Sequence, residues 1–255
     1  MSTVKKVVLA YSGGLDTSII IPWIKENYGG AEIIAYCGDV GQGDDLEAVR
    51  SKALATGASR CVVEDLREEF VRDYAFKALA AGAVYEDNYL LGTALARPLL
   101  AYRQVQVALA EGADALAHGA TGKGNDQVRF EVTYATFAPH LEVIAPWREW
   151  GIRSREDAVE YAKAHGVPVD QTPRDMFSRD GNLWHLSHEG GNLEDTWSAP
   201  EKDMFKLTVD PEDAPDQPET ITITFEAGVP VALDGERLGG DVEADHAGAT
   251  STSTS

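Results

Sequence analysis

The amino-acid sequence predicts an α/β protein that begins with a doubly wound parallel sheet. Apolar strand-like runs alternate with helical patterns from residue 5 to residue 165, as in a parallel sheet covered by helices on both faces. Two glycine-rich turns follow the first and the fourth of these strands. Because ligands of such sheets bind beyond the carboxyl ends of the strands, the two turns mark the expected site.

The individual elements follow from apolar periodicity and from capping residues. Pro22 lies inside the first predicted helix and is expected to kink it. Strands are predicted at Lys5–Ala10, Glu32–Cys37, Arg60–Glu64, Ala115–His118 and Glu142–Ala145. Helices are predicted from Thr17, at Asp44–Thr56, at Leu66–Ala81, from Pro98 to about Glu111, at Asn125–Phe137, and from the cap Ser154 to His165.

The character of the sequence changes after Val167, where helical periodicity gives way to polar turns. Thr220–Glu226 alternates polar and apolar residues, which predicts a half-buried strand, and Val229–Leu233 is placed to pair with it. From Gly239 the sequence is acidic and then rich in Ser and Thr, too polar to order itself. We therefore expect a first domain over 1–167, a partial second domain over 168–238 and a disordered tail over 239–255.

Composition and charge restrict the class of protein. Forty-two acidic residues face 22 basic ones, and the net charge of −20 repels nucleic acid, so we expect no nucleic-acid partner. Such an excess suits a protein that works in very high salt, where screening removes self-repulsion. The two cysteines, Cys37 and Cys61, form no CxxC pair and are expected to be reduced thiols. No bilayer-length apolar run or export segment is present, which predicts a cytoplasmic protein without a membrane partner.

The first glycine-rich turn, Tyr11–Ser18, has the composition of a phosphate-binding loop. Gly13 and Gly14 let the backbone approach an anion, and N–H groups at the start of the following helix point toward it. The carboxylate of Asp16 would repel bare phosphate, so its expected role is to hold Mg²⁺ against the phosphates. The spacing is not that of a Walker loop. The alternative interpretation is an ordinary strand–helix turn with capping side chains.

The second turn, His118–Glu131, is denser in polar residues. Three glycines within six residues free its backbone, and side chains of both charge signs follow them. Such a mixture suits a zwitterionic amino acid, because a cation can bind its carboxylate and an acid its ammonium group. The alternative is a solvated loop with a helix cap at Asn125 or Asp126.

These turns carry a resemblance to known enzymes. Ser12–Thr17 resembles the signature SGGxD[ST] of the N-type ATP pyrophosphatases, which adenylate a substrate oxygen and release pyrophosphate. Longer strings are similar to the argininosuccinate synthase family, and the similarity covers residues 4 to about 235. The strings are Val8–Ser18, Asp39–Gln42, Tyr89–Pro98, His118–Glu131, Asn182–Ser187 and Gly191–Asp195. The resemblance implies an adenine nucleotide α-hydrolase-like sheet followed by a partial α+β synthetase domain.

The resemblance also implies a reaction and its residues. Citrulline and aspartate are ligated through citrullyl-AMP, with ATP and Mg²⁺ as cofactors and AMP and pyrophosphate as products. Asp16 and Lys123 are the candidate catalytic residues, and Asp16 is also the candidate contact to Mg²⁺. The implied ATP contacts are Ala10, Tyr11, Ser12, Gly13, Gly14, Leu15, Asp16, Thr17, Ser18, Gly38 and Gly119. The implied substrate contacts are Tyr89, Thr121, Asn125, Asp126, Arg129, Ser178 and Ser187.

Some features depart from the family pattern. Gly38 stands where the family usually has Ala, and Ala94 where some members have Ser. Family members continue well beyond the present sequence with further citrulline contacts and a helix that ties a tetramer together, so we expect the homotetramer to be impaired here. Two alternatives stay open: a truncated, inactive homologue that binds only ATP, and another ATP pyrophosphatase. A tRNA-modifying enzyme would need a basic surface and catalytic cysteines, which this sequence lacks.

Two further clusters attract attention in the sequence. His185 and His188 lie three residues apart, but no third ligand follows at a suitable spacing, so a metal site is not predicted. Arg148, Arg153 and Arg155 are interpreted as a solvated face or a subunit contact.

Overall fold

The computed structural model describes residues 4–121, 124–152, 154–169 and 178–238. The chain divides into two compact units, which we treat separately. Unit 1 lies within Met1–Asp39, Asp44–Asp65 and Ala96–Thr172, and unit 2 lies within Val40–Gly43, Leu66–Leu95 and Pro173–Ser255. The predicted tail at 239–255 falls outside the described residues. Among the helices that are described, none has both the length and the apolar character needed to cross a bilayer.

Unit 1 contains a five-stranded parallel sheet, as the sequence predicts. Its strands are β1 (Lys6–Ala10), β2 (Glu32–Asp39), β3 (Arg60–Asp65), β4 (Ala115–Ala117) and β5 (Glu142–Ile144). The spatial order is β3-β2-β1-β4-β5, and all neighbouring strands are parallel. The connections run outward in one direction from β1 and in the other from β4. The topological switch point, where ligands of doubly wound sheets bind, therefore lies between these two strands.

The helices lie close to their predicted positions, with two exceptions described below. A π-helical turn at Val71–Ala75 joins α4 to α5, and the remaining short turns are 3₁₀ helices. The α-helices are α1 (Leu15–Ser18), α2 (Ile20–Asn27), α3 (Leu46–Thr56), α4 (Arg67–Phe70), α5 (Phe76–Ala80), α6 (Gly92–Ala110), α7 (Asn125–Phe137) and α8 (Arg155–Ala164). The 3₁₀ helices are Pro146–Arg148, Gly191–Glu194, Lys202–Met204 and Pro211–Asp213.

Both faces of the sheet are buried, which explains why its strands read as continuous apolar runs. Alternate strand residues point to opposite faces. Val7 and Leu9 enter one core with the apolar side chains of α2 and α3, whereas Val8 enters a second core with those of α6 and α7. All three side chains are fully buried. The sheet is thus fixed from both sides, and the loops at its carboxyl ends stand on a rigid base.

Capping residues fix the helix boundaries, and the predicted cap Ser154 is confirmed. The carboxylate of Asp45 accepts hydrogen bonds from the N–H groups of Glu47 and Ala48 at the start of α3. Gly57 ends the same helix at φ 109°, a left-handed conformation that glycine adopts without a Cβ clash. Ser154 and Asp157 form a reciprocal capping box on α8.

The prediction that Pro98 starts a helix is wrong. α6 begins at Gly92, so Pro98 lies inside the helix. Ala96 and Leu99, on either side of Pro98, are both buried, so packing supports the helix there and one missing backbone hydrogen bond is tolerated. The first helix is divided at Ile19 into α1 and α2, and Pro22 falls in the first turn of α2. Pro22 has no N–H to donate to the carbonyl oxygen of Ser18, which agrees with the interruption at Ile19 and with the expected distortion of this helix.

Unit 2 contains two small antiparallel sheets. β6 (Ser178–Gly181) pairs with β7 (Leu186–Glu189), and β9 (Val229–Leu233) lies between β8 (Ile223–Glu226) and β10 (Glu236–Arg237). The predicted pairing of β8 with β9 is confirmed, through a turn with positive φ at Ala227 and Gly228. The prediction that this strand is half-buried is wrong, because every residue of β8 is exposed.

His165, which follows α8, joins that helix to α2. Its Nδ1 lies 2.7 Å from the carbonyl oxygen of Tyr161, and its Nε2 lies 2.7 Å from Oε1 of Glu26. Both partners only accept hydrogen bonds, so the geometry calls for a proton on each ring nitrogen. Burial by itself lowers the pKa of His165, but the bonds to Tyr161 and Glu26 outweigh it and raise the pKa above its ordinary value.

This contact predicts a pH-dependent contribution to stability. Because the folded pKa of His165 is raised, the contribution is fully present below the unfolded pKa of about 6.5 and is lost as pH rises through the folded pKa. We expect His165→Gln to lower the free energy of unfolding by about 0.5 kcal/mol near pH 6, and by less near pH 8.5, for so exposed a pair. Urea unfolding at both pH values measures this. An equal loss at both would contradict the assignment of a charged imidazole.

Candidate active site

Two loops of unit 1 meet at the switch point of the sheet. One follows β1 and contains Tyr11–Ser18, and the other follows β4 and begins at His118. A Cβ atom on Gly119 would lie 2.9 Å from Cγ2 of Thr17 and 3.3 Å from Cδ1 of Ile20. The second loop thus rests directly on the start of the helix that follows the first. Only glycine allows this approach, which makes the two predicted loops one site.

The first loop has the shape of an anion cradle. Gly13 has φ +80°, and a Cβ atom there would lie 3.0 Å from Val49 of α3. Oγ of Ser12 lies 3.2 Å from Oγ1 of Thr17, and it accepts a long hydrogen bond of 3.4 Å from the N–H of Gly14. Ser12 and Gly14 are exposed to solvent. An anion could therefore reach these two residues from solvent.

The inner residues of this loop have a different task. Oγ of the buried Ser18 donates to the carbonyl oxygen of Gly14 at 2.8 Å, so the hydroxyl of Tyr11, 2.9 Å away, is the donor to Ser18. Burial raises the pKa of Tyr11, which keeps this hydroxyl protonated. Both side chains are used inside the protein to brace the turn. Because these two side chains bond to other groups of the protein, Tyr11 and Ser18 would have to contact a nucleotide through their backbone groups.

The remaining predicted nucleotide contacts surround this loop. Asp16 is an exposed residue in the first turn of α1. Ala10 is the last residue of β1, and Gly38 is a buried residue near the end of β2. The described residues contain no group of three or more His, Cys, Asp or Glu side chains that could hold a metal ion. A metal at Asp16 would therefore take most of its ligands from a bound phosphate and from water.

The second loop is anchored by a buried histidine. Nδ1 of His118 accepts from the N–H of Ala120 at 3.2 Å, so the ring proton sits on Nε2 and is donated to Oε1 of Glu131 at 3.1 Å. Burial lowers the pKa of His118, and the hydrogen bond to Glu131 only partly opposes it. Glu131 also forms an ion pair with Arg148. Arg148 is exposed, as the interpretation of a solvated face expects, and it is also an ion-pair partner of this loop.

A charged cluster lies at the start of α7. Nε of Arg97 donates to Oδ2 of Asp126 at 3.0 Å, and Nη1 of Arg129 pairs with the other carboxylate oxygen, Oδ1. All three side chains are about three-quarters buried. One carboxylate between two guanidinium groups leaves the cluster with a net charge of +1. Such a cluster can orient an anionic group and still offer an acid to an ammonium group.

The other predicted residues of the second loop are placed as follows. Thr121 and Asn125 are exposed, and Asn125 is the first residue of α7. The N-cap of α7 is Gly124, which has no side chain to cap it, so the alternative that Asn125 or Asp126 is the cap is wrong. The side chains of both residues are therefore not committed to the helix terminus. Lys123 lies outside the described residues.

Unit 2 holds the remaining predicted substrate contacts. Tyr89 lies in a tight hairpin before α6, with its ring against that of His185 at a centroid distance of 4.9 Å. Ser187 lies in β7, and its hydroxyl makes a long contact of 3.5 Å to the carbonyl oxygen of Asp180. Ser178 begins β6. Tyr89 and Ser187 thus both belong to unit 2, and Tyr89 contacts His185, two positions before Ser187.

Comparison with known proteins decides the family. Residues 6–168 match the arginosuccinate synthase N-terminal HUP domain, and residues 177–247 match the arginosuccinate synthase C-terminal domain. The chain belongs to the argininosuccinate synthase family. It is 66% identical over 238 residues to an argininosuccinate synthase of Roseiflexus castenholzii, covering 93% of this chain and 59% of the relative.

Other members of the argininosuccinate synthase family are similarly close. The Serratia proteamaculans protein is 60% identical over 236 residues, which are 92% of this chain and 58% of the relative. A chloroplastic argininosuccinate synthase of Arabidopsis thaliana is 62% identical over 235 residues, which are 92% of this chain and 47% of the relative. The chain thus spans less than two thirds of the length of these relatives.

The sequence interpretation missed several residues of the site. Arg97 and Arg148 were not candidates for it, although Arg97 lies in one of the strings that carry the family resemblance. Arg97 is 29 positions before Asp126, and Arg148 is 17 positions after Glu131. Helical spacing links neither pair. The sequence offers one weak signal for the pairing of Arg97 with Asp126. Arg97 lies next to a predicted helix start, and Asp126 lies near the start of another predicted helix.

Proposed function

We propose that this chain catalyses the ATP-dependent ligation of citrulline and aspartate, with Mg²⁺ as the metal that accompanies ATP. The observation that carries the proposal is the close contact of Gly119 with Thr17, which joins the phosphate-type loop to the amino-acid-type loop. The family supports the same chemistry, because its named members are argininosuccinate synthases. The ATP pyrophosphatase alternative that modifies tRNA has no support in these relatives.

The first step transfers the adenylyl group. The ureido oxygen of citrulline attacks the α-phosphorus of ATP, the bond from that phosphorus to the bridging oxygen breaks, and pyrophosphate leaves. We assign the pyrophosphate to the cradle of Ser12, Gly13 and Gly14, whose exposed polar groups suit an anion. Mg²⁺ at Asp16 would neutralise the charge that develops on the leaving group. Lys123 is the further candidate cation for that charge.

The second step releases AMP. The ammonium group of aspartate first gives one proton to water. The resulting amine attacks the ureido carbon, the bond from that carbon to the AMP oxygen breaks, and the new C–N bond gives a second proton to water. We assign the ammonium group of aspartate to Asp126 and its carboxylates to Thr121 and Asn125. Arg129, Tyr89, Ser178 and Ser187 are assigned to citrulline. The work of the protein in both steps is positioning and charge stabilisation, which needs no dedicated general base.

Pyrophosphate release tests the proposal. The purified chain is supplied with ATP, Mg²⁺, citrulline and aspartate, in dilute and in concentrated KCl because of the acidic surface. We expect pyrophosphate and argininosuccinate in equal amounts, with neither formed when citrulline is left out. If ATP binds but no pyrophosphate appears with both amino acids present, the chain is an ATP-binding homologue and the proposal fails.

A further inference from the structure

A strained segment of unit 2 presents Tyr89. Residues 85–89 form a tight hairpin in which the N–H and carbonyl groups of Tyr85 and Tyr89 pair. Glu86 and Asp87 have positive φ values of 50° and 64°, and Leu91 has φ 63°. Left-handed backbone is unfavourable for residues with a side chain and persists where the surroundings impose it. Something must therefore hold this segment.

The turn between β6 and β7 supplies the contacts that hold it. The indole Nε1 of Trp184 donates to the carbonyl oxygen of Leu90 at 2.8 Å. The ring of His185 stands edge-on to the ring of Tyr89 at an interplanar angle of 84°. A Cβ atom on Gly92 would lie 2.6 Å from Cβ of His185, so the histidine sits against the bare backbone of that glycine. The contacts flank the strained Leu91 on both sides.

The turn that carries these two rings is itself rigid. Oδ1 of Asn182 accepts from the N–H of Trp184 at 2.9 Å and from the N–H of His185 at 3.0 Å. The N–H of Asn182 donates in turn to the carbonyl oxygen of His185 at 3.0 Å. Asn182 is only 7% exposed. A buried amide therefore fixes the backbone from which both rings project.

His185 acts here as a ring and not as an acid or base. Its Nδ1 is buried without a hydrogen-bond partner in the described part of the chain, and it lies 3.1 Å from the Cβ position of Gly92. Burial lowers the pKa of His185, so the ring is neutral near pH 7. A buried ring nitrogen without a hydrogen-bond partner does not stabilise the fold through a polar interaction. Its contribution is the shape that packs against Tyr89 and Gly92.

We propose that Trp184 and His185 form a clamp that positions Tyr89 for its substrate. This inference rests on the proposed function, in which Tyr89 contacts citrulline. Trp184 and His185 are positioning residues, since they act on the substrate only through Tyr89. Movement of Tyr89 by about 1 Å is enough to weaken a bound geometry severely. The clamp therefore predicts a selective effect on citrulline, with ATP binding left alone.

The test compares four variants in the full chain. His185→Ala removes the ring contact, Trp184→Phe removes the hydrogen bond to Leu90, and His185→Phe restores a ring of similar shape without the buried nitrogen. His188→Ala is the matched control, because His188 lies on the adjoining strand β7, opposite Arg179. The readouts are the KM values for citrulline and for ATP in pyrophosphate release, and amide hydrogen exchange over residues 85–91.

The clamp predicts that His185→Ala and Trp184→Phe raise the citrulline KM about tenfold and speed exchange over residues 85–91. The ATP KM stays within about twofold, and His185→Phe and His188→Ala resemble the wild type. Unchanged exchange in His185→Ala, or a citrulline KM in His185→Phe as high as in His185→Ala, would overturn the clamp. A wild-type chain without citrulline-dependent pyrophosphate release refutes the proposed function instead. Hydrogen exchange then still decides whether the clamp holds Tyr89.

Discussion

Changing Asp126 to Ala is expected to raise the KM for aspartate by about 30- to 1000-fold, because a partly buried charged partner is removed from a bound ammonium group. The same change removes one carboxylate partner from each of Arg97 and Arg129, which both pair with Asp126. The negative charge that offsets these guanidinium groups is lost, which makes the site less favourable for the incoming ammonium group. The ATP KM is expected to change by less than about threefold, because the phosphate cradle is built from the other loop.

Steady-state kinetics of pyrophosphate release at varied aspartate and varied ATP measure this difference. Glu68→Gln is a suitable control, since Glu68 pairs with Arg72 on an exposed helix surface and such pairs contribute little. Equal effects of Asp126→Ala on both KM values would refute the assignment of Asp126 to aspartate.

Changing Gly119 to Ala is expected to weaken ATP binding by about 10- to 100-fold, because overpacking at this contact costs about 1–3 kcal/mol. The added Cβ would lie 2.9 Å from Cγ2 of Thr17, so Thr17 or the second loop has to move. Thr17 also contacts Ser12 through its hydroxyl, at 3.2 Å. The displacement is thus passed directly to the phosphate cradle.

Calorimetric titration with ATP measures the effect of Gly119→Ala. Gly151→Ala is the matched control in unit 1, because a Cβ there meets no atom within 4 Å and its φ is not in the left-handed region. The chain is expected to stay folded in both variants. An unchanged ATP affinity in Gly119→Ala would contradict the view that the two loops form one site.

Local signals in the sequence predict much of the fold. The five strands of the parallel sheet and the cap at Ser154 each depend on neighbouring residues, and these predictions are confirmed. Pro98 shows the limit of such rules. A proline is a plausible helix start by itself, but α6 begins six residues ahead of Pro98, and the buried Ala96 packs within that extension. The start of this helix is thus set by packing against the sheet, which the local sequence does not reveal.

Some residues of the site can be recognised from the sequence, and others only from the structure. Tyr11–Ser18 and Gly119 are recognisable because a phosphate loop requires glycines and hydroxyls at fixed spacing. The pairing of Arg97 with Asp126 and the ring contact of His185 with Tyr89 join residues 29 and 96 positions apart. No periodicity links them. Such contacts come from the fold as a whole, and only coordinates show that Tyr11 and Ser18 brace the turn with their side chains.

An oxygen-transfer experiment tests the central claim most directly. If citrulline attacks ATP through its ureido oxygen, that oxygen leaves with AMP when aspartate displaces it. The chain is therefore given ATP, aspartate, Mg²⁺ and citrulline labelled with heavy oxygen in the ureido group, and AMP is analysed by mass spectrometry. The account predicts one heavy oxygen in each AMP formed. AMP without the label, or no AMP formed from the two amino acids and ATP, would contradict it.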